Sequence, residues 1–145
     1  MEGPRGGALA SGPVTEVLIA TDSDAVYDEV EAALADETTR VVRVRAGADV
    51  GPLVASATPD LVILDLQIGN MGGIAACLHL RHEAGDGRLP HVPVLMLLDR
   101  QADVFLARRS GADAWIVKPL DAFALRRTAT AVLEGLASPQ ASALP

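Results

Sequence analysis

The 145-residue chain is short of several things, and each shortage narrows its class. It has one cysteine, Cys77, so no disulfide can form within it, which fits a reducing compartment. No apolar run approaches the roughly 20 residues that span a bilayer. The first thirteen residues, MEGPRGGALASGP, lack the continuous apolar stretch of a secretory signal and read as a flexible leader. Positive charge is scarce as well. Twelve basic against nineteen acidic residues give a net charge of -7, which argues against nonspecific attraction to nucleic acid. These exclusions leave a cytoplasmic globular domain with no membrane span. Half the residues are hydrophobic, enough for one ordinary domain to bury a core.

Lysine is the most informative shortage. Of the twelve basic residues only Lys118 is a lysine. A chain that uses arginine for surface charge has a chemical reason to place a compact ammonium at one position.

What is present is a regular alternation of apolar runs and amphipathic segments. VTEVLIA, Val14 to Ala20, reads as a first strand ending in the turn and N-cap residues Thr21 to Asp24. A helix follows with Val26, Val30 and Leu34 spaced by four. Arg40 to Arg45 alternates, Val42 and Val44 against Arg43 and Arg45, as an edge strand with one solvated charged face. Asp49 to Ala57 is a short helix broken by Pro59. The run Leu61 to Leu64 is too short for a helix, suits a strand covered on both faces, and ends abruptly in Asp65.

After the loop LQIGNMG, a helix from about Gly73 to Glu83 carries Ile74, Cys77, Leu78 and Arg81 on one side, with Cys77 facing inward. Val94 to Leu98 is a fourth strand, followed by Asp99. Gln101 to Arg109 is a helix stopped by Ser110-Gly111. Ala114 to Val117 is a fifth strand, running into Lys118-Pro119, and Asp121 caps a last helix to about Leu136. A polar tail fills 137–145. The domain therefore spans 14–136.

Five strands alternating with five helices predict an α/β fold, a doubly wound parallel sheet in the flavodoxin-like order 2-1-3-4-5. That order makes strands 1 and 3 neighbours about 5 Å apart, which brings Asp22 and Asp65 together at the switch point. Lys118 ends a strand roughly 10 Å from Asp65, within reach of an extended side chain. Paired carboxylates repel unless a cation intervenes, and Mg²⁺ suits such a site. An aspartate can attack phosphorus to form an acyl phosphate, with an ammonium and a metal stabilising the transferred group. Asp65 as acceptor, Asp22 as metal ligand and Lys118 as clamp form one device. The loop TDSDA lacks the glycine- and hydroxyl-rich cradle a flavin phosphate needs.

The stretches LIATD, DLVILDLQIGNMGG and GADAWIVKPLD resemble the receiver domain of bacterial two-component response regulators, over nearly the whole folded chain from about Val14 to Leu136. The resemblance implies phosphorylation on Asp65. It implies Mg²⁺ held by Asp22, Asp65 and the carbonyl of Gln67, and a phosphoryl contact from Lys118. It sets Leu98 and Trp115 at the two positions of an activation switch.

Four residues depart from the family pattern. Thr21 replaces the first acid of the acidic pair, which weakens the metal site. Leu98 replaces a hydroxyl residue that bonds the phosphoryl group. Asp99 stands where a small residue is usual, able to repel a phosphoryl group or to serve as a substitute metal ligand. Gly69 replaces the loop proline.

Two functions follow as expectations. One is a single-domain response regulator in phosphorelay signal transduction. It takes its phosphoryl group from a histidine kinase or phosphotransfer protein and signals by contact with a downstream protein. Its only catalysis would be its own phosphorylation and dephosphorylation. The alternative is a pseudo-receiver, an interaction module that works without phosphate. The basic pairs Arg108-Arg109 and Arg126-Arg127 mark a candidate homodimer or partner surface through the fourth helix, fifth strand and fifth helix, against a plainer reading as a solvated face. Trp115 reads as a partly buried packing residue on an edge strand. His79, His82 and the distant His91 read as solvated histidines, since a helix spacing of three supplies no fourth ligand.

Overall fold

A computed structural model describes residues 14–135; the leader and the tail, with Leu136, lie outside the described residues. Five parallel strands form one sheet: β1 (Thr15–Ala20), β2 (Thr39–Val44), β3 (Leu61–Asp65), β4 (Val94–Leu98) and β5 (Ala114–Val117), in the order β2-β1-β3-β4-β5. The connecting helices are α1 (Asp24–Leu34), α2 (Val50–Ala57), α3 (Gly73–Gly85), α4 (Val104–Ser110) and α5 (Ala122–Leu133). This is the predicted flavodoxin-like order.

The continuous apolar runs of the central strands have a direct cause. Alternate side chains enter two separate cores, one on each face. Leu18, Val62, Leu64, Val94, Met96 and Leu98 pack with residues of α2, α3 and α4. Val17, Ile19, Leu61, Ile63, Leu95 and Leu97 pack under α1 and α5. Each such fully buried side chain contributes about 1.5–3 kcal/mol. The stripes Val26, Val30, Leu34 on α1 and Leu125, Ala129, Val132 on α5 are buried as their spacing predicts.

Local details differ from the sequence reading. On α3 the buried residues are Gly73, Ala76, Cys77 and Leu80, while Leu78 is half exposed. Arg81 lies partly buried for a polar reason: its guanidinium donates to the carbonyls of Gly111 and Val92 and to Asp113, tying α3 to the starts of β4 and β5. The fourth helix begins with a 3-10 turn over Gln101–Asp103, and Gly111 ends it at φ +92°. The charged face of β2 is not fully solvated. Arg43 folds over the Tyr27 ring and donates to the Thr21 carbonyl and to Asp24, whose carboxyl is held below its ordinary range by Arg43 and then Arg45. Trp115 is wholly buried, 2% exposed, because β4 and α4 close over it, and Arg108 stacks on its ring. Arg126 is a staple rather than part of a free basic face, donating twice to the Ala33 carbonyl.

Candidate functional site

The carboxyl ends of β1, β3, β4 and β5 converge on Asp65. The β1–β3 register runs Val17↔Leu61 to Ala20↔Leu64, so the next residues, Thr21 and Asp65, lie side by side. Thr21, not Asp22, is the immediate neighbour. Its buried hydroxyl donates to Asp65 Oδ2 at 2.7 Å. Asp65 is itself buried, 1% exposed, and its Oδ1 accepts from the Gln67 backbone N–H at 3.2 Å. Lys118 crosses from the end of β5 to place Nζ 2.7 Å from the same oxygen. The carboxylate therefore has three donors and a fixed orientation.

Lys118 has a second partner. Its Nζ lies 3.2 Å from Asp99 Oδ1, and the other oxygen of Asp99 is buried with no hydrogen-bond partner. Burial by itself pulls the Lys118 ammonium down, but the hydrogen bonds and charges of Asp65, and then of Asp99, outweigh it and leave its pKa above the ordinary lysine value. One oxygen of Asp99 is thus engaged by the ammonium.

Asp22 sits one residue into the exposed loop, where its Oδ2 accepts from the Gly69 N–H at 3.2 Å. A proline at that position would have no N–H to give. The N-cap of α1 is Ser23, whose side chain accepts from the Val26 N–H, so Asp22 is free of that duty. The loop bearing Gly69 is fixed from below: Gly47 and Ala48 donate to the carbonyls of Gly69 and Asn70. A Cβ on Gly47 would lie 1.6 Å from the Met71 carbonyl oxygen, and one on Gly73 would lie 2.6 Å from the Asp65 carbonyl oxygen. Both glycines let the loop close onto the strand end.

Two carboxylates and the Gln67 carbonyl are oxygen donors of the kind Mg²⁺ takes, with water completing its shell. The residues fit the ion, with one negative charge fewer than an acid at Thr21 would supply. One histidine joins a separate cluster, whose ligand atoms all lie within 4.8 Å of one another. His79 packs against Gly51, while His82, Glu83 and Asp86 gather on the exposed end of α3 with Arg88 bonded to both carboxylates.

Residues 17–130 match the family model described as the response regulator receiver domain. The chain belongs to the response regulator receiver family. It is 28% identical over 122 residues to PilH of Pseudomonas aeruginosa, covering 84% of this chain and 100% of PilH. It is 30% identical over 119 residues to the transcriptional regulatory protein AfsQ1 of Streptomyces coelicolor, covering 81% of this chain but only 50% of that protein. The chain thus spans about half the length of AfsQ1.

Among solved structures, a receiver domain of a signal transduction histidine kinase from Syntrophus aciditrophicus matches with TM-score 0.74 and 28% identity, over 85% of this chain and 92% of that one. The chemotaxis response regulator CheY4 of Vibrio cholerae shares the fold, with TM-score 0.72 and 24% identity over 82% of this chain and 98% of CheY4. The protein is a receiver module of two-component signalling, a class that works with kinases or phosphotransfer proteins. No helix among the described residues is long and apolar enough to cross a membrane.

Three features of the site were not read from the sequence. Thr21 registers there as a lost charge, although a β-strand neighbour of Asp65 with a hydroxyl is also a donor. The Gly69 N–H was a legible signal, since any residue other than proline brings one. The bridge from Lys118 to Asp99 depends on side-chain conformations that no spacing encodes.

Proposed function

We propose that the protein is a receiver that accepts one phosphoryl group on Asp65 from a phosphohistidine donor and signals by contact with another protein. The observation that carries this reading is the chain's single lysine reaching across from β5 to within 2.7 Å of the buried Asp65 carboxylate.

In the transfer, an Asp65 oxygen bonds to phosphorus as the phosphorus–nitrogen bond to the donor histidine breaks. The bonding pair stays on the imidazole nitrogen, which takes up a proton. Gln67 N–H and Lys118 hold the attacking carboxylate in place, and the ammonium offsets charge on the phosphoryl oxygens. Asp22, Asp65 and the Gln67 carbonyl would hold Mg²⁺, which supplies further neutralisation when bound. Hydrolysis reverses the change: water attacks phosphorus, the acyl–phosphate bond breaks, and Asp65 is released. Leu98 offers the phosphoryl group no hydrogen bond, so the coupling to Trp115 is weak.

The test is transfer from autophosphorylated histidine kinases. Acid-labile phosphate on the wild-type protein, absent from Asp65→Asn, supports the reading; full labelling of the Asn variant sinks the assignment. A second reading, a phosphate-independent interaction module, is favoured by one observation. Each Asp65 oxygen accepts a hydrogen bond from the chain itself.

A further inference from the structure

We propose that Asp99 is a resident competitor for Lys118, a built-in brake on phosphorylation of Asp65. The inference rests on the acceptor role assigned to Asp65 above.

The geometry comes from three adjacent strand ends. Leu97 pairs with Asp65 across β3–β4, and the Lys118 N–H donates to the Leu98 carbonyl at 2.7 Å across β4–β5. Asp99, the residue just after β4, therefore meets the root of the lysine that must reach Asp65. The ammonium has three protons. One goes to Asp65 Oδ1 at 2.7 Å and one to Asp99 Oδ1 at 3.2 Å. A phosphoryl group on Asp65, carrying roughly -1.5 to -2 at pH 7, needs that same ammonium. It meets instead a cation already shared with a second carboxylate.

Asp99 also adds repulsion. Its Oδ2 is buried with no donor, so its charge is poorly neutralised. Leu98, fully buried, has no hydroxyl to compensate. Among the described residues no arginine pairs with Asp99; its one ion-pair partner is Lys118. Removing the Asp99 charge frees the ammonium and lifts the repulsion in one step. Asp99 is a positioning residue acting through Lys118.

The experiment compares the rate and final extent of labelling by acetyl phosphate with Mg²⁺, read by intact mass, for wild type and for Asp99→Asn, Asp99→Ala and Asp99→Glu. Asn and Ala should accelerate labelling at least about tenfold, while Glu stays slow. A second readout is acylation of Lys118 by an amine-selective reagent across pH, mapped to its peptide. Loss of the Asp99 charge should shift that profile to lower pH, and Glu should restore it. Thermal melting identifies a variant that fails to fold, and the Asn variant keeps the side chain's shape. Wild-type labelling with unchanged rates in Asn and Ala overturns the brake and leaves the acceptor assignment standing. No labelling of Asp65 in any variant overturns both.

Discussion

Thr21 Oγ1 lies 2.7 Å from Asp65 Oδ2, a hydroxyl donating to a buried carboxylate where receivers ordinarily carry a second acid. The substitution replaces a repulsion that requires a cation with a hydrogen bond that does not. The Asp65 carboxylate thus stands beside residue 21 without needing a cation between them.

This relationship predicts opposite responses from two variants. Thr21→Val leaves Asp65 Oδ2 without its donor and should cost about 1–3 kcal/mol, with little effect of Mg²⁺ on the melt. Thr21→Asp sets two carboxylates side by side, so it should melt lower in metal-free buffer and recover as Mg²⁺ is added. Thermal melts with and without Mg²⁺ check both. Equal Mg²⁺ responses in wild type and Thr21→Asp would mean the missing acid does not limit metal binding.

The loop beside the site depends on close backbone approach at Gly47. Gly47→Ala should lose about 1–3 kcal/mol, because its Cβ would fall on the Met71 carbonyl. Gly69→Ala meets only ordinary contact, 3.7 Å from Asp22 Oδ2, and should change stability by less than about 0.5 kcal/mol. Denaturant unfolding of the two variants separates them; equal losses would contradict the packing described.

Two groups set an alkaline limit. Burial pushes the Cys77 thiol above its ordinary 9.0, against a smaller opposing effect of the Ser110 side chain, and Lys118 is held above its ordinary 10.5. Raised values in the fold mean that this stability is complete below the unfolded values and is lost as pH rises through the folded ones. The melting temperature should therefore begin to fall above about pH 9 and fall further above about pH 10.5. Cys77→Ala should remove the first decline and keep the second. Stability that rises over this range would contradict the burial of both groups.

Leu98 is fully buried in the core that also holds Trp115. Leu98→Thr should cost about 2 kcal/mol through lost apolar burial. It should also strengthen the response to beryllium fluoride, a phosphoryl analogue, seen in the fluorescence of the one tryptophan. An unchanged response would mean that the lost hydroxyl is not what limits the switch.

Much of this was legible in the chain. The four-residue run before Asp65 and the spacing on α1 and α5 are periodic signals with few alternatives, and the strand order followed from them. The lone lysine pointed to Lys118 before any distance was known. Trp115 misled because an edge strand is open in principle; here α4 and β4 cover it. Arg43 and Arg126 read as surface charge because periodicity marks which face a side chain leaves from, not where a long guanidinium arm ends. The position of Asp22 was off by one residue for a related reason. The sheet register, which pairs Thr21 with Asp65, is a tertiary fact.

The most direct test is intact mass of the full chain after acetyl phosphate and Mg²⁺, beside Asp65→Asn and Lys118→Met. The account predicts one added phosphoryl group on the wild type, none on the Asn variant, and reduced labelling of the Met variant. Labelling that persists in Asp65→Asn, or a wild type that stays unmodified where an ordinary receiver is labelled, would contradict it.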